Sequence, residues 1–225
     1  MCIRDRYTSL RITAKYTINF NYREYFLNMV KTNSMFLELG TQLPSFEMIN
    51  TNSSNQENYN LSKLDDRHLL LMFICAHCPF VKYIENYISV LSSDIEDKVQ
   101  TIAVSSNDIV THPSDSPDCL RNQAQLQGWS FPYLYDESQV FAKELKAACT
   151  PDFYLFSNAG NRKFALFYHG QLDSSRPSND ISITGEDLHA AVKGLNKNSN
   201  YPHPQQPSLG CNIKWTPGKE PDWFK

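Results

Sequence analysis

Residues 74–81 read ICAHCPFV: Cys75 and Cys78 stand two residues apart, with His77 between them and Pro79 directly after. That spacing admits three chemistries. A thiolate can attack a disulfide or a peroxide and then be captured by its neighbour. The pair can be half of a zinc site. Or both thiols can simply fill core space, as free cysteine often does. Zinc calls for about four ligands, commonly two such pairs. The other cysteines and histidines are scattered without partner spacing, so no metal and no cofactor are expected.

The redox reading depends on what positions the pair. Leu69 to Ala76 is an apolar run of strand length. After it the period changes: Phe80, Ile84, Ile88 and Leu91 recur at helical spacing, with Lys82, Glu85 and Asn86 on the other face. The CxxC therefore falls where a buried strand hands over to a helix. Pro79 sits in the first turn, where a missing N–H costs least. Three features are expected to lower the Cys75 pKa: the positive end of the helix, a charge or hydrogen bond from His77, and the S–H of Cys78. The spacing also lets the two sulfurs close a reversible disulfide.

The remaining elements frame this junction. Phe46 to Ile49 reads as a short strand, Thr51 to Asn60 as a loop, and Val99 to Val104 as a second apolar strand. Asn107 and Asp108 read as loop caps. Asp115 or Ser116 can cap a helix that has Pro117 in its first turn and ends before Gly128. Phe131 to Tyr135 reads as a strand, and Ser138 caps a helix to about Ala148. After Pro151, Phe153 to Phe156 and Phe164 to Tyr168 form a hairpin across the Asn158–Asn161 turn. Thr184 and Asp187 read as a capping box for a last helix. The order is an α/β arrangement with a mixed central sheet.

Composition narrows the function. The 225 residues are 41% hydrophobic with a formal net charge of −3, enough for one sizeable core and no electrostatic case for nucleic acid. No apolar run approaches the roughly 18 residues that cross a bilayer. Six cysteines without a secretory signal suit a reducing compartment, so a cytoplasmic location is expected. The opening MCIRDR back-translates to something resembling a transposon-end sequencing adapter. Residues 1–34 are thus read as a non-native or disordered leader, Cys2 included, with Met29 or Met35 as the start; a transit peptide is the rival reading. Residues 35–198 are read as the domain. Residues 199–225, with five prolines, are read as a tail packed through Trp215, Trp223 and Phe224.

Strand, CxxC, helix and a later proline before a hairpin resemble the thioredoxin superfamily. LGTQLPSF, FICAHCPFV, VSSND, YLYDESQ, ACTPDFYLF, HGQLDSSRP and SLGCNIKW are similar to its peroxiredoxin-like branch, the alkyl hydroperoxide reductase/thiol-specific antioxidant or redoxin group. The resemblance implies a thioredoxin-like fold with a redoxin-type N-terminal strand extension. It implies Cys75 as nucleophile, Cys78 as resolving thiol, and a cis Pro151 beside them. It also implies that Thr150 offers backbone groups to an incoming chain. Typical peroxiredoxins carry P-x-x-x-T/S-x-x-C, whereas His68 and Met72 stand at those positions here. The missing threonine favours a thiol–disulfide oxidoreductase over the alternative, an antioxidant thiol peroxidase. A non-catalytic binding module is the third reading. Protein disulfides or peroxides are the expected substrates, with a thioredoxin- or glutathione-type reductant and no membrane partner. Arg176 is a candidate for holding an anion. Cys149 and Cys211 are candidate additional thiols, and Cys119 is read as a bystander.

Overall fold

A computed structural model describes residues 31–195 and 204–224. The expectations for residues 1–30, Cys2 among them, and for residues 196–203 lie outside the described residues. The strands are β1 (Thr32–Asn33), β2 (Glu47–Asn50), β3 (Asn58–Asn60), β4 (His68–Phe73), β5 (Val99–Ser105), β6 (Tyr133–Tyr135), β7 (Cys149–Thr150), β8 (Asp152–Asn158), β9 (Phe164–Gly170) and β10 (Leu209–Asn212). The helices are α1 (Pro79–Ile95), α2 (Pro117–Gln127), α3 (Val140–Glu144) and α4 (Glu186–Gly194).

Seven strands form one sheet in the order β3-β2-β6-β5-β4-β8-β9. β4, β5 and β6 run parallel, and the outer pairings are antiparallel. β4 lies inside the sheet and is covered on both faces, which is why its sequence is continuously apolar rather than alternating. Leu70, Met72 and Ile74 point into one core with Phe80, Ile84, Ile88 and Leu91 of α1. Leu69, Leu71 and Phe73 point into the other, with Phe141 of α3 and Trp215. The strand end that carries the CxxC is thus held from two sides.

A smaller sheet, β1-β10-β7, lies beside the first. The segment after residue 198 had been expected to lie along the domain as a tail. It packs there through Trp215, with Trp223 and Phe224 edge-on against it, and it also supplies β10, the middle strand of this sheet. Thr32 and Asn33, assigned to the leader, pair with Gly210 and Leu209.

Gly128 ends its helix as expected, and the other helix ends differ from the expected caps. Gly128 closes α2 at φ 67°, a left-handed position suited to glycine. Ser116 precedes α2 without a side-chain cap bond. α3 is shorter than expected, beginning at Val140 after Gln139 at φ 60°. α4 is not closed by a Thr184 box. Asp173 accepts from the Thr184 and Gly185 amides, both at 2.7 Å, and so takes the capping role from another loop. Among the described residues no helix is long and apolar enough to cross a membrane.

Candidate functional site

Cys75 follows the last residues of β4, and Cys78 is the N-cap residue of α1, with Pro79 in the first turn. The parallel β4–β5 pairing continues to Ile74, whose amide donates to the Val104 carbonyl at 3.0 Å, so the chain leaves the sheet only at Cys75. The Thr150–Pro151 peptide bond is cis. Thr150 meets both sulfurs: Cys75 Sγ lies 3.5 Å from Thr150 Oγ1, and Cys78 Sγ lies 3.2 Å from the Thr150 carbonyl oxygen. Both cysteines are sealed, at 1% and 0% exposure, and unbonded, as are Cys149 and Cys211.

The other side of the loop is held by a residue that sequence reasoning had placed at a helix cap. Asp115, fully buried in the short 3-10 turn Pro113–Asp115, points back at the CxxC. Its Oδ1 accepts from the amides of Ala76 and His77 at 2.8 and 3.0 Å. Its Oδ2 accepts from Asn107 Nδ2 at 2.7 Å and lies 2.5 Å from His77 Nδ1. Asn107 is in turn fixed by the Lys214 amide, which donates to Asn107 Oδ1 at 2.8 Å. The sequence signal was a polar Asn-Asp pair at the end of a buried strand and an aspartate in a Pro-flanked turn. Neither says which way the side chains turn. Asp108, by contrast, does cap its loop, accepting from Thr111.

Charge in this cluster is arranged differently from the expectation for Cys75. Burial pushes the Cys75 thiol up, and its hydrogen bond to Cys78 and the nearby Asp115 add to the rise; only Thr150 opposes it. Burial also works against a charged Cys78, as does the Thr150 carbonyl facing its sulfur. Donation from Cys211, Cys75 and Thr150 outweighs both and holds Cys78 well below the ordinary thiol range. These directions favour charge on Cys78, at the helix tip, over charge on Cys75. Burial would lower His77, but the Asp115 hydrogen bond and charge outweigh it and hold the imidazole above its usual range. His112 stacks on His77 with ring centroids 5.4 Å apart and is lowered, first by burial and then by His77.

Cys75, His77 and Asp115 place donor atoms within 4.8 Å of one another, the set that could hold a metal. The 2.5 Å His77–Asp115 separation is that of a hydrogen bond. Two ligands at about 2.0–2.1 Å from one tetrahedral zinc would stand roughly 3.3 Å apart. The donors as placed fit a shared proton.

Of the other predicted residues, Cys211 joins the cluster. It lies on β10 opposite Thr150, and its thiol is pushed up, first by the hydrogen bond to Cys78 and then by burial. Cys149 sits behind Pro151, with Sγ 3.9 Å from the Pro151 and Ser208 carbonyls, and burial raises its pKa. Arg176 lines a cleft with Phe80, Pro151 and Phe153. Its guanidinium donates to the carbonyls of Asp173 and Ser175 and to Gln171 Oε1, which ties it to its own loop rather than to the sulfurs. Thr150 was expected to offer its free backbone edge; β10 of the same chain takes that edge.

The AhpC/TSA family model matches residues 39–165, the segment that carries the CxxC, Asp115 and Pro151. The chain belongs to the AhpC/TSA family. Among solved structures, this AhpC/TSA chain is similar to an uncharacterized conserved protein from Geobacillus kaustophilus. That match has 41% identity over 84% of this chain and 98% of the other, with a TM-score of 0.77. A hypothetical protein from Sinorhizobium meliloti 1021 is 37% identical over 83% and 100%, with a TM-score of 0.76. A structure assigned as a thiol:disulfide interchange protein from Chlorobium tepidum shares the fold at 14% identity over 71% and 99%, with a TM-score of 0.53. No curated protein matches the chain. The fold is thioredoxin-like, with the mixed sheet flanked by helices, and the family points to thiol-based redox chemistry in general.

Proposed function

We propose that this chain is a thiol–disulfide oxidoreductase working through Cys75 and Cys78. What carries the reading is the convergence of both sulfurs on Thr150, beside Pro151, at the tip of α1. Cys75 is the nucleophile and gives its proton to Cys78 as it attacks a partner disulfide. A mixed disulfide forms, and the first partner sulfur leaves as a thiolate that takes the proton from Cys78. The Cys78 thiolate then attacks Cys75 Sγ. The Cys75–Cys78 bond forms, and the partner leaves with the two electrons. A thioredoxin- or glutathione-type dithiol system resets the pair. His77, paired with Asp115, positions the loop and keeps positive charge near the sulfurs.

The family match favours a second reading, peroxide reduction with Cys75 oxidised to a sulfenic acid that Cys78 condenses. Met72 stands where a peroxide-holding threonine would be expected. Rates on hydrogen peroxide and on an insulin-type disulfide, measured side by side, separate the two. The oxidoreductase reading expects the disulfide to be reduced faster, Cys75→Ser to abolish turnover, and Cys78→Ser to accumulate mixed disulfides. Equal turnover by the two variants would refute the roles.

A further inference from the structure

β7 is two residues long and ends at the Thr150–Pro151 bond, so its edge is where an extended partner would add a strand. The chain fills that edge itself. β10 runs antiparallel to it with Cys211 opposite Thr150 and Asn212 opposite Cys149, and the Ile213 amide continues the ladder to the Ala148 carbonyl at 3.0 Å. The approach is close enough to require a glycine: a Cβ on Gly210 would fall 2.0 Å from the Thr150 carbonyl oxygen. That carbonyl is the group 3.2 Å from Cys78 Sγ. Cys75, Cys78 and Cys211 share one apolar cluster, and Cys211 is only 6% exposed. β10 thus presents a thiol to the redox pair from the place that a partner strand would occupy.

We propose that Cys211 is a third redox thiol, exchanging into the pair to form a Cys78–Cys211 disulfide. The proposal rests on the Cys75–Cys78 reading for the bond that is exchanged. Cys211 gives up its proton and attacks Cys78 Sγ. The Cys78–Cys211 bond forms, the Cys75–Cys78 bond breaks, and Cys75 leaves as a thiolate that accepts the proton. The chain gains and loses no electrons in this step. Two consequences follow. Cys75 is a free thiol again while its resolving partner is occupied, so a mixed disulfide at Cys75 persists until an external dithiol frees Cys78. And β10 becomes covalently fastened across the Thr150 edge, closing it to a partner strand.

The test is disulfide mapping after oxidation with diamide, alkylation of the remaining thiols, and digestion without reduction. In Cys75→Ser, diamide can take the two electrons and two protons only from the remaining thiols. The expected result is a Cys78–Cys211 linked peptide and the loss of both residues from the alkylated set. Cys75→Ser/Cys211→Ser should keep Cys78 alkylated. In the oxidised wild type, a fraction of molecules should show Cys78–Cys211 linkage with Cys75 alkylated, and Cys211→Ser should eliminate that fraction. This second measurement does not depend on Cys75→Ser folding. If Cys78 and Cys211 stay alkylated in oxidised Cys75→Ser while the wild type forms Cys75–Cys78, the third thiol is refuted and the oxidoreductase reading stands. If the wild type forms no Cys75–Cys78 bond, the oxidoreductase reading falls and the exchange step falls with it, and a Cys78–Cys211 bond in Cys75→Ser then reports only direct oxidation of those two thiols.

Discussion

Two buried aspartates each meet a histidine, and they are built for different work. Asp115 lies 2.5 Å from His77, whose side chain is 26% exposed and touches Cys75 at 3.9 Å. Asp152 lies 3.1 Å from His169, whose side chain is 4% exposed and stacked on Tyr154 with centroids 4.0 Å apart. The first pair reaches both a sulfur and the solvent, so protons can come and go beside the chemistry. The second is sealed between β8 and β9 and ties those strands together. Their hydrogen-bond sets differ as well. Both oxygens of Asp115 are fully used by four donors, two of them amides of the CxxC loop. Asp152 uses Oδ2 for Tyr154 and His169, while Oδ1 has no partner among the described residues. An aspartate–histidine contact alone therefore does not mark an active site. What marks it is whether the pair grips the reactive loop.

The same substitution at both positions gives the largest expected effect and the sharpest contrast. In Asp115→Asn, either orientation of the amide turns its NH2 toward two donors. On the Oδ1 side it meets Ala76 and His77 N–H, and on the Oδ2 side His77 Nδ1 and Asn107 Nδ2. Each buried group left unsatisfied costs about 1–3 kcal/mol, so Asp115→Asn is expected to lose roughly 2–5 kcal/mol in urea unfolding. Disulfide reduction should fall at least about tenfold as the loop loosens, on the scale of catalytic geometry lost to small misplacements. A variant with wild-type stability and turnover would remove Asp115 from the site.

Asp152→Asn should do much less. The amide oxygen can keep Tyr154 and His169, and the NH2 takes the position that already lacks a partner. The expected cost is up to about 1 kcal/mol, with turnover within about twofold of wild type, since one unpaired buried group replaces another. If turnover falls as far as in Asp115→Asn, the two pairs are not the different devices described above.

Much of this contrast was hidden in the sequence for a physical reason. The strand–CxxC–helix junction was legible because period carries it: β4 is apolar on both faces, and α1 repeats Phe80, Ile84, Ile88 and Leu91. The hairpin of β8 and β9 was legible from its turn. Asp115 was not, because an aspartate before Ser116-Pro117 is also a good helix cap, and local pattern cannot say that it turns 38 to 39 residues back to Ala76 and His77. β10 was not legible either. Leu209–Asn212 lies in a Pro-rich stretch, and its pairing with β7 spans some sixty residues. Helix-tip charge was assigned to Cys75, but the N-cap is Cys78, and its donors Cys211 and Thr150 come from distant strands.

The smallest effect is in the pH dependence of stability, and it isolates His77. The groups that act on it are Asp115 and Cys78, which raise it, and burial and Lys214, which lower it; His112 stacks on its ring. The folded state holds His77 above its ordinary value, so folding favours the protonated imidazole. That contribution is fully present below the unfolded value of about 6.5 and is lost as pH rises through the raised folded value. His112 and His68, which burial lowers, act with the opposite sign, favouring the folded state more as pH rises through 6.5. The raw profile mixes the three, so the measurement is a difference. Urea unfolding of wild type and His77→Gln from about pH 5.5 to 8.5 should show the wild-type advantage shrinking as pH rises. The imidazole titration of His77 by NMR should move down in Asp115→Asn, because burial remains while the counter-charge is gone. A His77 titration unchanged by Asp115→Asn, or a pH-independent difference between wild type and His77→Gln, would mean that the His77–Asp115 contact is as purely structural as the one between His169 and Asp152.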